Sequence, residues 1–292
     1  MTDRVKTSKR AGHPERSEGP RSGATGARRK SPDPHTWPDD RLTLSWLGHA
    51  TVLLNFLGRR IVTDPALETR VGIGRGPLKL GPRRLAPPAL RARELPPLDL
   101  VLLSHAHMDH TDLGTLGALP RRTPVVVQPG NRDLVRRFRQ VEELAWGKTV
   151  EVAGVEITSV EVRHWGARMI HDQHRGYGGY LLSRGGVTVL FAGDTAYTDA
   201  FARLGQSTRV DLAILPIGAY DPWIANHASP EEAWRMFRSL GATWILPVHH
   251  STFRLSREPV DEPVRRLLAA AGDEGWRVLP TTVGTTWTMP AR

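Results

Sequence analysis

Three histidines and an aspartate fall within six residues, His105-Ala106-His107-Met108-Asp109-His110, and no other feature constrains the fold as much. Residues 98–103 just before it are largely apolar and read as a buried strand. Side chains two apart in extended chain point to one side, so His105, His107 and Asp109 can converge, and His110 follows on the turn. Buried together with nothing between them, these groups would repel or stay unsatisfied. A metal ion removes both costs. The chain has no cysteine, so ligation falls to imidazole and carboxylate.

Three more ligand-type residues follow strand-like runs. His164 comes after residues 155–162, Asp194 after residues 187–191 and Ala192-Gly193, and His249 after residues 243–248. Each alone is an ordinary turn or cap residue. Together they are more telling, because the ends of neighbouring strands share one edge of a sheet. A carboxylate can bridge two cations and an imidazole cannot, which singles out Asp194.

Residues 1–36 carry nine Lys and Arg against four Asp and Glu, half of the formal charge of +10, with few large apolar residues. They read as a disordered basic tail, and residues 37–292 as a single domain. Such a tail can attract RNA or an anionic lipid surface. No interleaving of aromatic and basic residues along a strand accompanies it, so nucleic acid is not the expected partner. No run of about 18 apolar residues marks a spanning helix. No apolar stretch follows the charged N-terminus as in a secretory signal, so the expected location is cytoplasmic.

Short strands dominate the rest. Residues 42–47 and 51–57 pair around Gly48-His49, and residues 60–63 stop at Asp64-Pro65. Residues 149–152 and 155–162 form a hairpin around Ala153-Gly154, and residues 177–183 and 187–191 another around Gly185-Gly186. Further strands are expected at 125–128, 210–215 and 285–289, and a short helix at 131–138. Ser229, Pro230 and Glu232 form a helix start with a capping box, closed by Gly241. A second helix is expected over 259–271. Residues 70–97 are dense in Gly, Pro and Arg and read as a long loop, a functional wall or lid. The pattern is α/β (α+β): two sheets packed together with helices outside.

The cluster at 105–110 resembles the HxHxDH signature of the metallo-β-lactamase superfamily. Trp46-Leu47-Gly48-His49-Ala50-Thr51, Thr63-Asp64-Pro65, residues 94–99, His164-Trp165, residues 191–195, Pro216-Ile217-Gly218-Ala219-Tyr220 and His249-His250-Ser251-Thr252-Phe253 resemble one branch of it, the N-acyl-phosphatidylethanolamine-hydrolysing phospholipase D enzymes and their bacterial relatives. The resemblance spans residues 41–289. It implies a four-layer αβ/βα sandwich of two mixed sheets flanked by helices. It implies two divalent metal ions, usually zinc. Ligation by nitrogen and oxygen also admits iron or manganese. One metal takes His105, His107 and His164, the other Asp109, His110 and His249, and Asp194 bridges them together with a water or hydroxide. Thr252-Phe253 sets the register that puts His249, not His250, on the metal; His250 and Ser251 depart from the branch pattern of Trp and Gly. Asp64 is implied to orient an imidazole, and His227 to contact substrate or leaving group. His49 reads as a core residue or an orienting one, with core preferred. His171 and His174 read as loop decoration, and His13 and His35 have no role.

Two ions about 3.5–4 Å apart lower the pKa of a shared water toward neutrality, and the hydroxide attacks phosphorus or a carbonyl carbon. Asp109 can orient that nucleophile. No Gly-x-Ser-x-Gly elbow and no phosphate-cradling glycine loop offers another route. The expected activity is a phosphodiesterase of the phospholipase D-like branch, on a small-molecule or lipid substrate, with peripheral membrane contact. Trp223 and Ile224 are candidates for an apolar pocket wall. A lactone or β-lactam hydrolase uses the same site. Further alternatives are a nucleic-acid phosphodiesterase and a non-catalytic metal-binding protein.

Overall fold

In the computed structural model, residues 1–2, 31–74, 78–169 and 171–291 are described; the tail expected over residues 1–36 falls mostly outside them. Residues 31–36 differ from the expected tail. Pro32 and Pro34 are buried, and Asp33 caps a 3-10 turn, Pro34–Thr36, that leads into buried Trp37. Two prolines fix the backbone there, so ordering this stretch costs little entropy.

Alternation of apolar side chains builds two sheets that share one core. The first contains β1 (Leu42–Gly48), β2 (Thr51–Phe56), β3 (Arg60–Thr63), β4 (Leu100–Leu103), β5 (Val125–Val127) and β6 (Val141–Glu143) in that order, with β13 (Thr286–Thr288) outside β1. The second runs β12 (Trp244–Val248), β11 (Leu212–Pro216), β10 (Val187–Phe191), β9 (Gly179–Arg184), β8 (Val155–Val160) and β7 (Thr149–Val152). Leu42, Leu44 and Trp46 of β1 and Val52, Leu54 and Phe56 of β2 meet Ile157, Leu182, Val189 and Phe191 across the gap. Phe191 is fully buried, and Phe191→Ala there would cost about 3–5 kcal/mol.

The intervening positions cover the outer faces. Val62, Val101, Val125 and Val127 pack under Leu116 of α1 (Leu113–Ala118). On the second sheet, Leu190, Ala213 and Ile245 pack under Phe201 of α2 (Ala200–Ser207), Phe237 of α3 (Pro230–Leu240) and Leu267 of α4 (Glu262–Ala271). These are the four expected layers. The capping box forms as read: Ser229 Oγ accepts from Glu232 N, and Glu232 accepts from Ser229 N. Residues 131–138 hold a 3-10 turn, Arg132–Val135, instead of the expected helix. Among the described residues no helix is long and apolar enough to cross a membrane.

Strand direction decides where the site lies. β3 and β4 are parallel, and β1 runs with them because β2 is antiparallel to both β1 and β3. β10, β11 and β12 are parallel, and β8 runs with them through antiparallel β9. The C-terminal ends of β1, β3, β4, β8, β10 and β12 therefore reach one rim of the sandwich. Cross-sheet bonds hold that rim together: Tyr180 Oη donates to Leu103 O (2.8 Å), Gly178 N to Ser104 O (3.0 Å) and His249 N to His49 O (3.1 Å).

Candidate metal centre

Every residue singled out as a ligand arrives at this rim. Asp194 follows β10 on Gly193, whose φ of +63 is left-handed and whose added Cβ would stand 2.5 Å from Ser104 Cβ. Only glycine lets the β10 loop approach the β4 loop this closely. His49, Asp64 and His249 also hold positive φ, of 57, 33 and 61. Such backbone strain at three neighbouring loop ends marks a place where side-chain direction is enforced.

Asp194 lies at the centre. Its Oδ2 stands 3.0 Å from His110 Nε2, 3.2 Å from His249 Nε2, 3.8 Å from His227 Nδ1, and 3.9 Å from both His105 Nε2 and His164 Nε2. Four overlapping sets of three or four donors lie within metal-binding distance of one another, two of three residues (Asp64, His105 and His110; Asp194, His227 and His249) and two of four. Of the two larger sets, the first holds His105, His107, His164 and Asp194, and the second His49, Asp109, His110 and His249. Within the first, His105 Nε2 and His107 Nδ1 are 2.8 Å apart, and His164 Nε2 is 3.3 Å from His107 Nδ1. Within the second, Asp109 Oδ2 is 3.5 Å from His249 Nε2 and 3.6 Å from His110 Nε2.

The rings are aimed from behind. His164 Nδ1 donates to Asn226 O (3.0 Å), which leaves Nε2 a lone pair facing inward. His110 Nδ1 donates to Asp64 Oδ2 (2.6 Å), and His105 Nδ1 donates to Ser104 Oγ (2.8 Å), which itself donates to Asp64 Oδ2 (2.5 Å). Asp64 thus orients two imidazoles, one of them through a serine. His110 Nε2, His249 Nε2, His107 Nε2 and Asp194 Oδ1 are buried without a hydrogen-bond partner. Buried, unpartnered nitrogens and oxygens of this kind suit metal ligation by nitrogen and oxygen.

Burial opposes charge on Asp194 and Asp109. The imidazoles outweigh it: His110 and His249 keep Asp194 ionised, and His110, His249 and His49 do the same for Asp109, each well below the usual carboxylate range. Burial also opposes charge on His249, but Asp194 and Asp109 push it up to about 9; Asp194, Asp109 and Asp64 likewise hold His110 well above its ordinary value. Desolvation wins elsewhere, driving His164 and His49 down to about 3, His227 down to about 4, and His105 well below the usual range.

His49 corrects the preferred reading of it as core. It is buried, but its Nε2 donates to Asp109 Oδ2 at 2.8 Å, so it belongs to the charged cluster. Its partner lies 60 residues away, and the turn around it carried no sign of that contact. His250 turns away, packing on Trp46 at 4.4 Å between ring centres. His171 and His174 are exposed on a loop, His35 is exposed in the Pro34–Thr36 turn, and His13 lies outside the described residues. His227 reaches the cleft with Nδ1 buried and unpartnered.

The cleft over this centre encloses about 270 Å³, and Trp165, Ala219, Trp223 and Leu255 join His107, Asp109, Asp194, His227 and His249 in its walls. Trp165 is 46% exposed and Trp223 53%, so its mouth is aromatic. Ile224, also considered for the wall, is exposed beside it. No described residue from 70–97 lines this cleft. That stretch is an arm joined by the bridges Arg70 to Arg83 and Ile73 to Leu80. Buried Lys79 docks it between Glu68 and the α1 cap Asp112.

Residues 59–250 match the family described as the beta-lactamase superfamily domain. An uncharacterized protein of Mycobacterium tuberculosis is 35% identical over 271 residues, 86% of this chain and 72% of its own length. The N-acyl-phosphatidylethanolamine-hydrolyzing phospholipase D 1 of Caenorhabditis elegans is 30% identical over 257 residues, 80% of this chain and 71% of its own. In fold, the isothiocyanate hydrolase from Delia radicum gut bacteria superposes with a TM-score of 0.70 at 19% identity, over 86% of this chain and all of that one (100%).

Proposed function

This chain belongs to the β-lactamase superfamily as a metal-dependent hydrolase, and from that premise we propose that it is a phosphodiesterase of the phospholipase D-like branch. One observation carries the reading. The loop that resembles that branch, residues 216–220 with His227 beyond it, lines the same cleft as Asp109, Asp194 and His249 through Ala219 and His227. The identity to the worm enzyme over most of both chains supports it.

The two donor groups would hold one divalent cation each, His105, His107 and His164 on one side and Asp109, His110 and His249 on the other, with Asp194 between them. Zinc is the proposed ion. Such ions would supply a water activated at neutral pH and would stabilise negative charge on the oxygens of the scissile group. Asp109 and Asp194 supply the fixed anionic charge of the site, and His49 holds Asp109 in orientation. His227, neutral at physiological pH, offers a ring N–H to a substrate or leaving-group oxygen. In the overall reaction water adds to phosphorus, the ester P–O bond breaks, and the alcohol leaves with a proton. Trp165, Trp223 and Leu255 at the mouth offer an apolar wall to a substrate chain, which favours a lipid phosphodiester. The cytoplasm remains its proposed location, with peripheral contact to a lipid surface.

The test is metal content together with turnover of a bis-aryl phosphodiester and an N-acylated phosphatidylethanolamine in mixed micelles, for wild type and Asp194→Ala. About two ions per chain, turnover of both substrates, and loss of activity in the variant are expected. Turnover of lactones or β-lactams with none of phosphodiesters would overturn the reading.

A further inference from the structure

Behind the ligand imidazoles, one side chain joins two of the loops that carry them. Arg168 lies four residues beyond His164 and is half-buried. Its Nη1 donates to Ala106 O and to Thr111 O, both at 2.8 Å. Ala106 stands between His105 and His107, and Thr111 directly follows His110. The two carbonyls thus sit at either end of the ligand turn. Thr111 closes that turn from within: its Oγ1 donates to His105 O (2.7 Å) and its N to His107 O (2.8 Å).

The base of the Arg168 side chain is also fixed. Gly166 packs against the Arg175 carbonyl so closely that a Cβ would overlap it. Arg175 in turn is bound to Asp133 and Asp172. Lys79, another cation beside this turn, differs in kind. Its ammonium lies between the carboxylates of Glu68 and Asp112, where charge pairing and the α1 cap account for it. Both of the Arg168 hydrogen bonds end instead on neutral main-chain oxygens of the ligand turn. A charged donor on a carbonyl gives a stronger and more directional bond than a neutral one.

We propose that Arg168 is a positioning residue, locking the His105–His110 turn to the His164 loop and so setting the spacing of His105, His107 and His164. This role rests on the metal reading of the centre and is independent of the substrate. A lysine here keeps the charge and can reach one carbonyl. A methionine keeps the unbranched apolar stem and loses both bonds.

The experiment titrates metal-free wild type, Arg168→Met and Arg168→Lys with zinc against a chromogenic chelator, and records the visible spectrum of each protein loaded with Co2+. Arg168→Met is expected to weaken metal binding about tenfold or more and to change the cobalt bands, with Arg168→Lys recovering most of both. Should Arg168→Met not fold, Arg168→Gln carries the same comparison. Wild-type affinity and a wild-type cobalt spectrum in a folded Met or Gln variant, even with a lowered Tm, would overturn the role. Wild type that binds no metal overturns the metal reading and this role with it. Wild type that binds while the variant is unaffected overturns this role alone.

Discussion

Asp64 Oδ2 accepts the Nδ1 proton of His110 at 2.6 Å, while Asp64 Oδ1 accepts from Ser104 N at 2.7 Å. One carboxylate, itself outside both donor groups around Asp194, therefore fixes the start and the end of the ligand turn. Asp64→Asn keeps the shape but replaces an acceptor with an amide that cannot receive the Ser104 hydroxyl and the His110 ring together. Metal affinity is expected to fall about 10- to 100-fold, measured by competition with a chelator. Unchanged affinity would show that the ring direction is set elsewhere.

Metal uptake should release protons. Without metal, the carboxylates of Asp194 and Asp109 push His249 up to about 9 against the cost of burial, so it carries a proton at pH 7, and they raise His110 in the same direction. A cation taking His249 Nε2 must displace that proton. Affinity is therefore expected to rise with pH up to about 9, and the heat of zinc binding at pH 7 to vary with the ionisation enthalpy of the buffer. Heats that do not depend on the buffer would contradict it.

His250 bears on acid stability without being an expected ligand. Burial drives it from 6.5 down to about 3. The unfolded chain binds that proton below about 6.5 and the folded chain does not, so the contribution is complete above 6.5 and is lost as pH falls toward 3. His250→Phe keeps a ring against Trp46 and removes the titration. Its acid unfolding midpoint, followed by circular dichroism, is expected to move to lower pH. A midpoint that stays put or rises would assign acid unfolding to other groups.

Gly193→Ala tests the approach of the two sheets. The left-handed φ alone costs roughly 1 kcal/mol for alanine, and the Cβ must also displace Ser104. Because Ser104 carries the His105 bond, the variant should lose both thermal stability and metal affinity. Loss of stability with metal affinity intact would separate the two.

The ligand turn was legible because its period of two follows a buried strand, and the α3 start because Ser229 and Glu232 carry their capping chemistry locally. What escaped depends on distance. α1 reads as Leu113–Ala118 with two glycines and no apolar face; it exists because Asp112 accepts from Gly114 N and Thr115 N, and Leu116 packs on the sheet. β6 is a three-residue edge strand whose place is fixed by pairing with β5. The eight-residue α2 is held by Phe201 in the outer core. α4 begins at Glu262, three residues later than expected, and residues 131–138 tighten into a 3-10 turn. His49 and Arg168 owe their roles to partners in other loops, which no local pattern encodes.

The stretch between β11 and α3 gives the cleft Ala219, Trp223, Asn226 and His227, yet none of the expected ligands. It orients His164 through Asn226 O, a main-chain oxygen that any residue type would supply. Apart from His227, side chains here can therefore reshape the wall of the cleft while the donors and the bond that aims His164 stay in place.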